Sequence, residues 1–88
     1  MARDRSTTLR DLGFRLRELR IEAGMTQEGF AERVEILVDN YRKIERGRIN
    51  CTVDTLDRLA EALGVKIADL FTEPTNRQVR KGRPPKPT

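Results

Sequence analysis

Histidine is absent from this 88-residue sequence, and cysteine occurs once, as Cys51. The commonest zinc sets are built from those two residue types, so one such chain cannot assemble them. A nucleophile activated by histidine is excluded for the same reason. A single cysteine also excludes an internal disulfide framework, and a lone thiol agrees with a reducing compartment. No run of 18 apolar residues is present, which argues against a membrane span. The segment Met1-Ala2-Arg3-Asp4-Arg5 is basic but lacks the apolar stretch of a signal peptide. Carboxylates are plentiful, yet no pair stands apart from the acids of solvated helices. These absences predict a cytoplasmic, non-enzymatic protein with no metal, no cofactor and no membrane partner.

The length predicts one small domain with a limited core, for which oligomerisation is a source of further stability. The net charge is +4, but it is unevenly spread. Residues 1–73 carry 13 Lys/Arg against 14 Asp/Glu. Residues 74–88 carry Arg77, Arg80, Lys81, Arg83 and Lys86 with no acid. The body of the chain is therefore close to neutral. Attraction to nucleic acid must be argued from where its charges sit, not from their sum.

Apolar spacing predicts an all-α body of five short helices. Leu9, Leu12, Leu16, Leu19 and Ala23 form one face of a first helix over about 8–22, stopped by Gly24. Ser6, Thr7 or Thr8 can cap its start. Thr26 stands where an N-cap belongs for a second helix reaching about Arg33, with Phe30, Ala31 and Val34 inward. A third helix is expected over 37–45, with Tyr41 and Ile44 inward and Gly47 at its end. Thr52 caps a fourth, whose apolar positions are Val53, Leu56, Leu59, Ala60 and Leu63, closed by Gly64. A fifth is expected over about 67–71. The resulting divisions are an arm over 1–7, a domain over 8–73 and a basic, proline-containing tail over 74–88. Phe14 and Ile21, seven apart, make a second apolar stripe: an exposed or partly covered pair, or a contact for the tail or a partner.

The second and third helices are short, consecutive and joined by a tight turn, which is the plan of a helix-turn-helix. In that plan the second helix of the pair enters the major groove of DNA, about 12 Å wide. It needs an apolar side to hold it and a polar side to read with. Tyr41 and Ile44 supply the first, and Val38, Asp39, Arg42, Lys43 and Arg46 lie on or near the second. The same face also fits an ordinary solvated helix, and periodicity does not separate the two.

Leu16, Leu19, Arg20, Thr26-Gln27-Glu28, Phe30-Ala31, Ile44-Glu45-Arg46-Gly47, Leu56, Leu59-Ala60, Ala62-Leu63-Gly64-Val65 and Leu70-Phe71 carry a resemblance. Over about 12–71 the chain resembles the Cro/CI-type, or XRE-type, helix-turn-helix family. The resemblance implies a five-helix, lambda-repressor-like DNA-binding domain. It implies base contacts from Val38, Asp39, Arg42 and Lys43, and phosphate contacts from Thr26, Gln27, Arg46 and Arg48. It also implies a structural ion pair between Arg20 and Glu45. Asp39 fits two roles: accepting from a cytosine amino group, or capping the helix and pairing with Arg42 or Lys43. Val38 suits a thymine methyl group.

Four positions depart from the family pattern, Phe14 among them, where a charged residue is frequent. Glu35 stands where the turn usually has glycine; a positive φ would strain glutamate there, which predicts an altered or lengthened turn. Leu37 stands where serine is frequent and can neither cap nor donate to a phosphate. Cys51 stands where proline is usual.

In the tail, Arg80-Lys81-Gly82-Arg83-Pro84 resembles an AT-hook core, with Arg80 and Lys81 departing from its left half. Arginines of such a segment are drawn to the narrow A·T minor groove. A non-specific basic tail touching phosphates accounts for the same residues. The function implied is a sequence-specific transcriptional regulator, dimeric on a palindromic operator, that occludes or recruits polymerase. Its dimer surface would lie near the fourth and fifth helices and Phe71. The alternative is an antitoxin-type module that binds a toxin through exposed apolar residues such as Phe14 and Ile21 and controls its own operon.

Removing residues 77–88 is expected to flatten the dependence of DNA affinity on salt while leaving the preferred sequence nearly intact. Titrations at several salt concentrations, with and without the tail, measure this. A wholly changed sequence preference would show that the tail reads bases.

Overall fold

The fold comes from a computed structural model that describes residues 5–75. Arg80, Lys81 and Arg83, the expected tail contacts, lie outside the described residues. Four α-helices run in order: α1 (Arg5–Glu22), α2 (Gln27–Arg33), α3 (Val38–Glu45) and α4 (Val53–Leu63). A 3-10 helix (Ile67–Phe71) stands in place of the fifth α-helix, and no strand occurs among the described residues. Among these residues, no helix is long and apolar enough to cross a membrane.

Helix α1 begins at Arg5, so part of the segment expected as an arm is its first turn. Its Leu12, Leu16 and Leu19 are buried, whereas Ala23, expected on the same face, is exposed. The core forms where α1, α2, α3, α4 and the 3-10 helix meet. Tyr41, Phe30, Leu16, Leu59 and Leu70 are its largest fully buried side chains. Phe30 and Tyr41 meet edge to face, ring centroids 5.3 Å apart, and so lock α2 to α3. Thr26 and Thr52 each accept a hydrogen bond from the backbone N–H three residues on, at 2.9 and 3.1 Å. Each such cap stabilises by about 1 kcal/mol. Val53, expected inward, is exposed in the first turn of α4.

Phe14 is buried, whereas Ile21 is half exposed, so the two do not form an open pair. The 3-10 helix and the residues just after it meet this part of α1. Arg15 Nε donates to the Asp69 carbonyl at 2.8 Å. The Thr75 hydroxyl donates to Glu18 at 2.7 Å, one helical turn from Phe14. Pro74 is itself buried, so the packed chain runs past residue 73.

All four helices end in one hydrogen-bond pattern. A residue with positive φ follows the helix, and the N–H after it returns to a carbonyl five residues back. These returning bonds are Met25 to Arg20, Ile36 to Ala31, Arg48 to Lys43 and Val65 to Ala60, at 2.9–3.1 Å. The positive-φ residue is glycine three times and Glu35, at φ 59°, once. The turn between α2 and α3 is thus neither lengthened nor redirected. The two flanking hydrogen bonds and the half-buried Ile36 hold glutamate in a conformation that its Cβ opposes.

Glu35→Gly is expected to raise stability by about 1 kcal/mol. Relief of left-handed strain exceeds the entropy that glycine adds to the unfolded chain. Urea unfolding followed by circular dichroism tests this, and an unchanged or lower midpoint would contradict it.

Candidate nucleic-acid interface

Glu45, at the last turn of α3, is 2% exposed, and its carboxylate gathers donors from three helices. Arg20 of α1 donates from Nε at 2.7 Å and from Nη2 at 3.3 Å. Gln27 of α2 donates from Nε2 at 2.9 Å. The Tyr41 hydroxyl, one turn back on α3, donates to the same carboxylate. Arg20 Nη1 donates to the Met25 carbonyl at 2.8 Å, which ties the α1–α2 turn into the network. Buried charges are tolerated only when so paired and hydrogen-bonded. Burial by itself lowers the pKa of Arg20, but the hydrogen bonds and charge of Glu45 outweigh it and hold it above the ordinary value. Burial, followed by the Glu45 charge, pushes the Tyr41 hydroxyl well above the usual tyrosine range.

Backbone contact completes the seating of α3. A methyl group placed on Gly13 of α1 would lie 2.2 Å from the Glu45 carbonyl oxygen. One placed on Gly47 would lie 2.8 Å from Arg10 Cα. Glycine at both positions therefore lets α1 touch the end of α3 with no side chain between them.

The outer side of α3 is polar. Asp39, Asn40 and Lys43 are exposed, as are Arg46 and Arg48 on either side of Gly47. Arg42 is partly covered: Nη1 lies 3.3 Å from Asp39 and Nη2 lies 3.7 Å from Glu28. Its Nε donates to Gln27 Oε1 at 3.3 Å. Gln27 thus uses its amide oxygen and one of its two amide hydrogens inside the protein, and the second hydrogen remains for an outside acceptor. Thr26 spends its hydroxyl oxygen on the Gly29 N–H. Val38 is half-buried against the core and sits at the edge of the polar face, whereas Leu37 beside it is 75% exposed and makes no cap. Arg20 and Glu45 are brought together as a buried ion pair, away from this surface. Glu28 and Asn40 on this face were not legible as site residues. Asp39 and Arg42 are three apart on one helix, a spacing visible in sequence, but Glu28 reaches Arg42 only across the turn.

A family model described as a helix-turn-helix domain matches residues 11–70. The chain belongs to this helix-turn-helix family. It is 41% identical over 57 residues to an HTH-type transcriptional regulator, DdrOP3, of Deinococcus deserti, which covers 65% of this chain. The match spans only 44% of that regulator's length. The fold is similar to the crystal structure of the restriction-modification controller protein C.AhdI from Aeromonas hydrophila, with a TM-score of 0.72 and 34% identity. That likeness covers 74% of this chain and 98% of the controller. It is also similar to the DNA-binding domain of BldD, with a TM-score of 0.68 and 28% identity, covering 82% of this chain and all of that domain. Within the helix-turn-helix, α2 and α3 are the consecutive pair, and α3 carries the polar outer face.

Tyr41 is the single tyrosine and tryptophan is absent, so ultraviolet absorbance follows its ionisation without interference. Its folded pKa is raised above the unfolded value of about 10. The folded state therefore holds the proton more tightly, and this contribution to stability is complete below pH ~10 and is lost as pH rises beyond it. Tyrosine ionisation and loss of helicity are expected together above that pH, with ionisation near the ordinary value in strong urea. Ionisation near 10 with helicity intact would contradict the buried hydroxyl.

Proposed function

We propose that this chain is a sequence-specific, non-enzymatic DNA-binding transcriptional regulator that acts in the cytoplasm as a homodimer on a near-palindromic operator. The observation that carries the reading is the seating of α3. One side is held by the buried Arg20–Glu45–Gln27–Tyr41 network and by backbone contact at Gly13. The other side presents Asp39, Arg42 and Lys43 outward. A helix held so firmly along one side and polar on the other fits a reader of major-groove base edges. The names of the relatives, a transcriptional regulator and a DNA-binding domain among them, point the same way.

In this reading Val38, Asp39, Arg42 and Lys43 face the bases. Thr26, Gln27, Arg46 and Arg48 meet phosphates on either side, Gln27 through its second amide hydrogen. Phosphate contacts set the register, and base contacts set the sequence. Dimerisation would employ the region around Phe71, which is 52% exposed on the 3-10 helix. Two copies of α3 would then enter half-sites centred about 34–36 Å apart. Arg80, Lys81 and Arg83 would add contacts along a flanking A·T minor groove or its phosphates, where most of the excess positive charge resides.

Selection of bound sequences from a random duplex pool is expected to return an inverted repeat with that spacing. Lys43→Ala is expected to weaken binding to the selected sequence roughly fivefold or more while changing affinity for random duplex far less. A pool without enrichment would overturn the assignment. Equal losses on both DNAs would remove Lys43 from the base-reading set.

A further inference from the structure

Among the cations of α3 and the loop after it, Arg42 differs from its neighbours. Lys43, Arg46 and Arg48 are exposed and form no ion pair with another described residue. Arg42 is flanked by two carboxylates, Asp39 from its own helix at 3.3 Å and Glu28 from α2 at 3.7 Å. The flanking side chains are 84% and 77% exposed, whereas that of Arg42 is 36% exposed. The negative side chains are therefore more open to solvent than the cation between them. Exposed ion pairs of this kind contribute little to folding, so stability does not account for the arrangement.

The guanidinium is oriented as well as flanked. Its Nε donates to Gln27 Oε1 at 3.3 Å, and Gln27 Nε2 donates to the buried Glu45 carboxylate at 2.9 Å. A continuous path of contacts thus runs from the core of the domain to the outer face of α3. A guanidinium has five N–H groups in one rigid plane. Gln27 takes the Nε hydrogen and Asp39 one hydrogen of Nη1, whereas Glu28 faces Nη2 as an ion pair without a hydrogen bond, which leaves at least one N–H on each terminal nitrogen. Two such groups match the O6 and N7 acceptors of guanine. A phosphate nearing the same guanidinium meets two carboxylates, whereas a neutral base edge does not meet that repulsion.

We propose that Glu28 is a specificity-determining residue: with Asp39 it flanks Arg42, disfavours phosphate contact there, and leaves the guanidinium to read guanine. This rests on the DNA-reading role assigned to α3 above. Glu28 is a positioning residue that acts through Arg42, and its effect belongs to the ratio of specific to non-specific affinity.

The test uses the full chain, a selected operator, the same operator with 7-deazaguanine (which lacks the N7 acceptor) at the selected guanines, and a random duplex. Affinities are read by fluorescence anisotropy, and circular dichroism verifies folding. E28Q is expected to bind random duplex roughly threefold to fivefold more tightly and to lower the operator-to-random ratio by a similar factor. E32Q removes the same charge from an exposed position on α2 that makes no ion pair with a described residue, and is expected to leave the ratio nearly unchanged. Wild type is expected to lose roughly fivefold or more on the 7-deazaguanine operator, and R42A to show no such loss. An E28Q ratio equal to that of wild type would overturn the proposal while leaving the DNA-reading role intact. So would an equal drop in E32Q, or a 7-deazaguanine penalty that persists in R42A. Wild type with no preference for any duplex would overturn both.

Discussion

The buried carboxylate of Glu45 is the interaction on which the rest of the arrangement depends. It sits at the end of α3 and takes hydrogen bonds from α1, α2 and α3 itself. A carboxylate buried without such partners would lose far more solvation than the fold can offset. The three helices therefore have one joint solution in which every donor reaches it. Apolar packing around Tyr41 and Phe30 drives the helices together without regard to direction. The ion pair and its hydrogen bonds choose the register in which they meet.

That register carries directly to the outer face. Gln27 accepts from Arg42 with one end and donates to Glu45 with the other. The same network that seats α3 thus orients a side chain on its exposed surface. Gly13 and Gly47 remove any layer of side chains between α1 and the end of α3. Positional precision on the polar side is a consequence of close approach on the buried side, since a packed interior transmits displacement with little slack.

Charge acts at two scales. Over residues 1–73 acids and bases nearly cancel, so the excess positive charge of the sequence lies in the segment 74–88. Locally, the cations near α3 divide into Lys43, Arg46 and Arg48, which are open, and Arg42, which is flanked by acids. Near-neutrality of the body is then a property of a surface where acids restrain particular cations, and bulk charge would misreport it.

Most helix limits, though not the start of α1, were legible from local chemistry. Thr26 and Thr52 mark starts, Gly24, Gly47 and Gly64 mark ends, and apolar spacing of three and four marks the inward faces. The side chains Asp39, Arg42, Lys43 and Gln27 could be nominated from the motif that contains them. Local pattern failed where the decisive partner was distant in sequence. Phe14 reads as an exposed or partly covered aromatic, yet it is buried, on a stretch of α1 that residues 69–75 also meet. Val38 reads as part of the polar face, and the structure sets it at the edge of that face, half-buried against the core. Glu35 reads as a reason to distort the turn, yet the hydrogen bonds of the surrounding helices outweigh its strain. The sequence by itself determined the order of the helices, the caps at Thr26 and Thr52 and the family, because those depend on residues within a few positions of one another. Tertiary structure alone decided that Glu28 meets Arg42 and that Gln27 links the surface to Glu45. Such contacts arise only when separate helices are held in one register by a buried charge that must be satisfied.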